Sequence, residues 1–198
     1  MANFKRKRTN TLSARKGFFI VVEGERTERN YFNRLKILSD DRFVRVQTIP
    51  GGKKSDPRHL AMKAEQVERT EQQEPGDEIW IVSDVDGRNL SELFVWESSA
   101  KGIQRNVAVS NPQFELWIAL HFDKCVGTKT KVECLSALQK FWPDYNKKTD
   151  FRGIDGNKVK TAISNGKAKD NPPCSSGKCP QEGITTVYRL VEKIMESH

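Results

Sequence analysis

Residues 17–32 read GFFIVVEGERTERNYF. Gly17–Val22 is short, apolar and partly β-branched, the pattern of a buried strand. Glu23 and Glu25 follow at once, on either side of Gly24. Tyr31, Phe32, Leu35 and Leu38 then recur at helical spacing, so Thr27–Leu38 is expected to be a helix. An apolar run that breaks into acids and then into an amphipathic helix has the form of the first half of a βαβ unit.

The same alternation continues outward. Phe43–Ile49 (FVRVQTI) reads as a second strand, and Pro50–Asp56 (PGGKKSD) as a loop. Pro57 suits the first turn of a helix, whose apolar stripe would be Leu60, Ala61, Ala64 and Val67. Glu78–Ser83 (EIWIVS) is a third buried strand, and Asp84–Arg88 (DVDGR) the turn at its end. Leu90, Leu93, Phe94 and Trp96 suggest another helix, Ile103–Val109 a fourth strand, and Asn111–Phe122 a helix with Pro112 in its first turn. Four strands alternating with helices imply an α/β fold, a mainly parallel sheet with helices on both faces. After Asp123 the pattern weakens. Val132–Phe141 and Ile184–Met195 look helical, while Asp150–Lys178, rich in Gly, Asn, Lys and Ser, reads as loosely structured. The expected organisation is a basic, flexible tail over 1–16, an α/β domain over 17–123, and a helical, irregular and basic extension over 124–198.

Charge follows that organisation. The chain has 198 residues and a formal net charge of +8. Residues 1–16 contribute +6, residues 17–139 come to −2, residues 140–180 to +5, and the last 18 to −1. Lys5, Arg6, Lys7 and Arg8 dominate the first flank. A sequence pI of about 9.4 points to a polyanionic partner, most simply nucleic acid. No apolar run approaches the ~20 residues of a membrane helix, and no secretory h-region follows the basic N-terminus. With four cysteines and no export signal, the expected setting is the reducing cytoplasm.

In open α/β sheets, ligands gather at the carboxyl ends of the strands. Two such ends are acidic here: Glu23 and Glu25, with Glu28 just inside the next helix, and Asp84-Val85-Asp86-Gly87. Carboxylates so placed repel one another, and a divalent cation offsets that repulsion. Mg²⁺, or Mn²⁺, accepts hard oxygen ligands while keeping waters and substrate phosphates in its shell. Glu23, Asp84 and Asp86 are the expected metal ligands. Arg26, Lys53, Lys54 and Arg88 lie in loops at the same edge and could steady phosphates.

These residues also carry a resemblance. FFIVVEGERTERNYF (Phe18–Phe32), the Gly52–Pro57 loop, IWIVSDVDG (Ile79–Gly87) and VAVSNPQFELWIALHF (Val107–Phe122) resemble the Toprim fold of topoisomerases, primases and OLD-type nucleases. They are most similar to the RloB family of Toprim-like bacterial proteins. The resemblance covers most of 17–123. It implies metal-dependent phosphodiester hydrolysis of DNA or RNA, a role in bacterial anti-phage defence or abortive infection, and an AAA-type ATPase partner. Glu23 would match the Toprim glutamate, as metal ligand or general acid/base. Asp84 and Asp86 would match the DxD ligands, and Glu28 the acid that OLD-type nucleases place on the first helix. Glu115, by position, is the candidate for a late acid serving a second metal. A homo-oligomer is left open.

Other candidates are weaker in the residues themselves. His121 reads as a partly buried helix histidine or a site residue, and Asn111, with Ser110, as a helix cap or part of the site. Trp80, Trp96 and Trp117 read as core. Cys174-x4-Cys179 lies in a Pro/Gly/Ser segment whose spacing to Cys125, Cys134 and His198 fits no standard zinc motif. Two other readings compete with a nuclease. One is a non-catalytic nucleic-acid-binding or adaptor subunit of a defence complex. The other is a phosphatase of the haloacid dehalogenase type, whose DxD loop IVSDVDG also resembles. There the first aspartate follows the domain's first strand, whereas here DVDG follows the third.

Overall fold

The computed structural model describes residues 15–52 and 56–197. The chain opens with β1 (Lys16–Val22), α1 (Thr27–Leu38), β2 (Val44–Pro50) and α2 (Pro57–Thr70). It continues through β3 (Glu78–Asp84), α3 (Ser91–Ser98), β4 (Gln104–Asn111) and α4 (Glu115–Ala119). The last elements are α5 (Lys131–Phe141), α6 (Gly156–Lys169), β5 (Ile184–Thr185) and α7 (Val187–Glu196). The sheet order is β2-β1-β3-β4-β5. The first four strands are parallel, and β5 runs antiparallel to β4. This is the mainly parallel α/β sheet that the alternating pattern implies.

Burial on both faces explains why β1 reads as an unbroken apolar run. Phe18, Ile20 and Val22 point into a core shared with Tyr31, Phe32 and Leu35 of α1 and with α4–α7. Phe19 and Val21 point into a second core with Leu60, Ala64 and Val67 of α2 and with Leu93 and Trp96 of α3. The period-2 alternation of the strand thus sends successive side chains to opposite layers. Local chemistry sets the helix starts. The Asp56 carboxylate accepts from the His59 backbone N–H at 3.0 Å, with Pro57 in the first turn. Thr130 and Glu133 form a reciprocal capping box on α5.

The structure departs from the sequence reading in four places. Ile184–Met195 is not helical throughout, because Ile184–Thr185 forms β5 and α7 starts at Val187. Asp150–Lys178 is not wholly irregular, because α6 occupies Gly156–Lys169. Asp155 caps it by accepting from Lys158 N–H at 2.9 Å, and Val159, Ala162, Asn165 and Gly166 bury one face. Packing there overrides the glycines and asparagines of the segment (Gly156, Asn157, Asn165 and Gly166). The expected helix over Asn111–Phe122 starts later, because β4 extends to Asn111, which pairs with Ile184 of β5; the α-helix proper is Glu115–Ala119. Lys16, counted with the basic tail, is the first residue of β1 and ion-pairs with buried Glu78 at 2.7 Å. The remaining tail cations singled out, Lys5, Arg6, Lys7 and Arg8, lie outside the described residues.

Beyond Asp123 the chain returns to the same sheet. β5 adds to its edge, and Val187, Leu190, Val191 and Ile194 of α7 join the core that contains Phe18 and Ile20. No helix among the described residues is long and apolar enough to cross a membrane.

His121 belongs to this core. It is 2 % exposed, its Nδ1 faces the Trp117 and Ile118 carbonyls at 3.0 and 3.2 Å, and its Nε2 faces the Tyr31 hydroxyl at 3.2 Å. The neutral ring therefore carries its proton on Nδ1 and accepts from Tyr31. Burial pushes its pKa from 6.5 down to about 4. The folded state then binds fewer protons than the unfolded state between those values. His121 is expected to remove roughly 3 kcal/mol of stability as pH falls from 6.5 to about 4. Urea unfolding at pH 4.5 and 7.5 checks this: His121→Gln should flatten that acid-side loss relative to wild type, and an unchanged difference would refute it.

Candidate active site

The parallel register aligns the acidic strand ends. Val22 pairs with Val82, which sets Glu23 level with Ser83, and Asp84 pairs with Ser110 of β4. Beyond β3 the chain turns through Asp86 and Gly87, both at positive φ (43° and 69°). Aspartate tolerates that region better than most residues, and glycine adopts it freely. The turn is tied to the end of β4: Val85 N–H donates to Ser110 O at 2.9 Å, and Asp86 N–H reaches Pro112 O at 3.4 Å.

Together these ends form a cleft of about 380 Å³. Its acids are Glu23, Glu25, Glu28, Asp84, Asp86 and Glu115, and its cations Arg26, Lys131 and Lys147. Glu23 is held from three directions. Ser83 Oγ donates to its Oε2 at 2.7 Å, Asp84 N–H to the same atom at 3.2 Å, and the Arg88 guanidinium to Oε1 at 2.5 Å. Glu28 is buried on the first turn of α1. Burial, reinforced by the nearby charges of Glu115 and Glu23, pushes its carboxyl up to about 7. Asp84 is raised well above the ordinary aspartate value, by burial first and then by repulsion from Glu28, Glu23 and Glu115; Arg88 opposes this. Glu115 accepts from the Tyr145 hydroxyl at 3.1 Å.

The four carboxylates that feel one another are therefore Glu23, Glu28, Asp84 and Glu115. Asp86 lines the same cleft, but its half-exposed carboxylate is engaged by the Lys131 ammonium. Among the described residues, no three His, Cys, Asp or Glu side chains are gathered into a ready cage for a metal ion. Arg26 lies exposed on the rim, just before α1. Arg88 is spent on Glu23 and the Asp84 carbonyl. Lys53 and Lys54 lie outside the described residues. His121 is in the core, away from the cleft. The Asn111 side-chain amide donates to Pro180 O at 2.9 Å, which ties β4 to the chain before β5.

Sequence reasoning missed Lys131, Lys147 and Tyr145. All three come from the segment after Asp123, folded back over the strand ends. The only local signal was the Thr130–Glu133 capping box, which marks where α5 starts but not what it faces.

Gly24 keeps room for Glu28. A Cβ at Gly24 would overlap the Glu28 carboxylate. Gly24→Ala is expected to displace that carboxyl and cost about 1–3 kcal/mol. Carboxyl-carbon NMR titration should show the glutamate that titrates near pH 7 in wild type moving toward the ordinary range. A titration unchanged by the substitution would contradict this placement.

A family model described as RloB-like protein matches residues 18–194. No curated protein and no solved structure matches the chain. The matched span runs from β1 to α7 and so takes in both the acidic strand ends and the segment that supplies Lys131, Lys147 and Tyr145; the chain belongs to the RloB-like family.

Proposed function

We propose that the protein is a divalent-cation-dependent nuclease of Toprim-like design that hydrolyses DNA or RNA phosphodiesters. We place it in bacterial anti-phage defence, in the cytoplasm, acting with an AAA-type ATPase. The observation that carries the chemical part is the convergence of Glu23, Glu28, Asp84 and Glu115 where β1 and β3 end and α1 and α4 begin, Glu28 buried and Asp84 half-buried, both with raised carboxyl pKa values. Structural acids at strand ends are normally paired or solvated. These are held together at a cost in mutual repulsion, which is the usual sign of a site built for a cation or a proton.

The donor chemistry suits Mg²⁺ or Mn²⁺: all-oxygen, anionic, and incomplete enough that water and phosphate oxygens would fill the shell. Asp84 and Glu28 would hold the ion, with Glu23 and Glu115 beside them. When bound, such an ion activates water and neutralises charge on the phosphate. The chain supplies the rest. Arg88, Ser83 and the Asp84 N–H fix Glu23 in one orientation. Tyr145 orients Glu115. The repulsion that raises Glu28 to about 7 in the empty cleft would be offset by a bound cation, which favours the charged, ligating form of the carboxylate. Arg26, Lys131 and Lys147 form a cationic rim against which a phosphate backbone can lie.

The deciding experiment is a cleavage assay on DNA and tRNA with Mg²⁺ or Mn²⁺, with and without a candidate AAA-type ATPase partner. Wild type is compared with Asp84→Asn. Divalent-dependent cleavage lost in the variant supports the reading. No cleavage under any condition, with no divalent-ion binding by calorimetry, overturns it in favour of a binding or adaptor module.

A further inference from the structure

A second groove lies at the same end of the sheet, beyond β2. It measures about 640 Å³ and is lined by Pro50, Gly51, Gly52, His59, Met62, Lys63, Gln66 and Arg69. Among the described residues, no carboxylate lines it. We propose that this groove is a nucleic-acid subsite that holds the phosphates of a single strand running toward the acidic cleft.

Four observations carry the proposal. The first is charge. The acidic cleft alone would repel a polyanion, whereas the neighbouring groove offers Lys63, Arg69 and the His59 ring. On the same helix Glu65 meets Arg69 only at 3.9 Å, in a solvent-exposed pair. Such pairs exchange readily for a phosphate. The Asp56 carboxylate at the head of the helix is engaged by the His59 N–H, and Glu68 is turned away to Arg105 at 2.6 Å.

The second is periodicity. Residues 59, 62, 63, 66 and 69 recur at helical spacing on α2, opposite the buried stripe of Leu60, Ala64 and Val67. Ten residues of helix extend ~15 Å, which matches about four nucleotides at ~3.4 Å per stacked nucleotide. The third is surface chemistry. Met62 is 56 % exposed beside the cations, and its flexible, polarizable thioether can pack against a base.

The fourth is continuity. Gly51 N–H donates to Val22 O at 2.8 Å, the carbonyl just before Glu23. A Cβ at Gly51 would meet Leu60 Cδ2 at 2.5 Å and Val22 O at 3.0 Å, with the Glu23 Cα next at 3.9 Å. The floor of the groove at Gly51 thus lies one strand over from Glu23, across the β1–β2 ladder.

The direction of the strand toward the cleft rests on the nuclease reading; the binding itself does not. The test is fluorescence anisotropy of labelled dT20 and U20 in EDTA, so that no cleavage or metal contributes. Lys63→Gln/Arg69→Gln is compared with Lys36→Gln/Lys160→Gln, which removes the same charge from exposed sites elsewhere. The groove variant should weaken binding at least fivefold at 0.1 M salt and lower the salt slope by about 1.4, for two single-strand phosphate contacts. The control should change affinity by less than twofold, and both variants should melt within a few degrees of wild type. Equal losses in the two variants, no loss in the groove variant, or no binding by wild type overturns the subsite. Binding lost through the groove, with no cleavage by wild type in Mg²⁺ or Mn²⁺, retains the subsite and overturns the nuclease reading. Cleavage with a KM unaltered in the groove variant does the reverse.

Discussion

Asp84→Asn is expected to make the protein more stable and inactive at once. At pH 8 the wild-type cleft confines Asp84 among Glu28, Glu23 and Glu115, and burial denies it water. Replacing the carboxylate with an amide of the same shape removes a charge that folding must desolvate against its neighbours. The expected gain is about 1–2 kcal/mol, or a melting temperature a few degrees higher for a chain of this size. The pH dependence supplies a sign. Glu28 has a folded pKa of about 7 against an ordinary value of 4.5, so the folded state binds more protons over that range. Stability tied to this cluster is fully present below about 4.5 and is lost as pH rises through about 7. The advantage of Asp84→Asn should therefore be largest at pH 8 and shrink toward pH 5. Activity should move the other way. Loss of a central cation-holding group removes several kcal/mol of transition-state stabilisation; about 4 kcal/mol corresponds to a thousandfold drop in cleavage. Thermal melts at pH 5 and 8, beside the cleavage assay, read both arms. A destabilised Asp84→Asn would mean that Asp84 is a structural acid, and the site would lose its central member.

Glu78→Ala should have the largest effect on stability. Glu78 is 1 % exposed at the start of β3, and it joins three parts of the chain. Lys16 at the head of β1 reaches it at 2.7 Å, and Lys193 of α7 at 2.9 Å. Trp80 Nε1 donates to it at 2.9 Å, and the Asn106 amide at 3.2 Å. Burial alone would raise its pKa, but the hydrogen bonds and charges of Lys16 and Lys193 prevail and hold it below the ordinary value. Its stabilisation is therefore present above the unfolded value of 4.5 and lost as pH falls through the lower folded one. Truncation leaves a buried indole N–H without its acceptor and releases both lysines. The expected cost is about 3–5 kcal/mol, or roughly 10 °C in melting temperature. Glu78→Gln keeps an acceptor for Trp80 and should cost about half as much. A melting temperature within 2 °C of wild type for Glu78→Ala would show that α7 and β1 are held by apolar packing alone.

Glu78 also shows why the chain could not be divided from its sequence. The C-terminal helix is clamped to the first and third strands by an acid that, read locally, is only the polar first residue of EIWIVS. The positive flanks divide in the same way. Lys16 is drawn into the sheet, while Lys131, outside both basic flanks, is placed at the candidate site. Net charge by segment describes how a chain meets a distant polyanion. It does not say which ammonium faces which carboxylate.

The four parallel strands and the acids at their ends were legible in the sequence. A strand buried on both faces must be apolar throughout, so GFFIVV and EIWIVS stand out. A carboxylate directly after such a run can only lie at its carboxyl end. Glu23, Glu28, Asp84, Asp86 and Glu115 were found on that ground and on the resemblance to the RloB family. Only the tertiary structure decided which of these acids face one another. It also placed Lys131, Lys147 and Tyr145 over them, put His121 in the core, and laid a two-residue strand beside β4. Those arrangements depend on contacts between segments distant in sequence, where side-chain periodicity carries no information. Local pattern determines an element and its buried face; the partner across a cleft is set by how the elements pack.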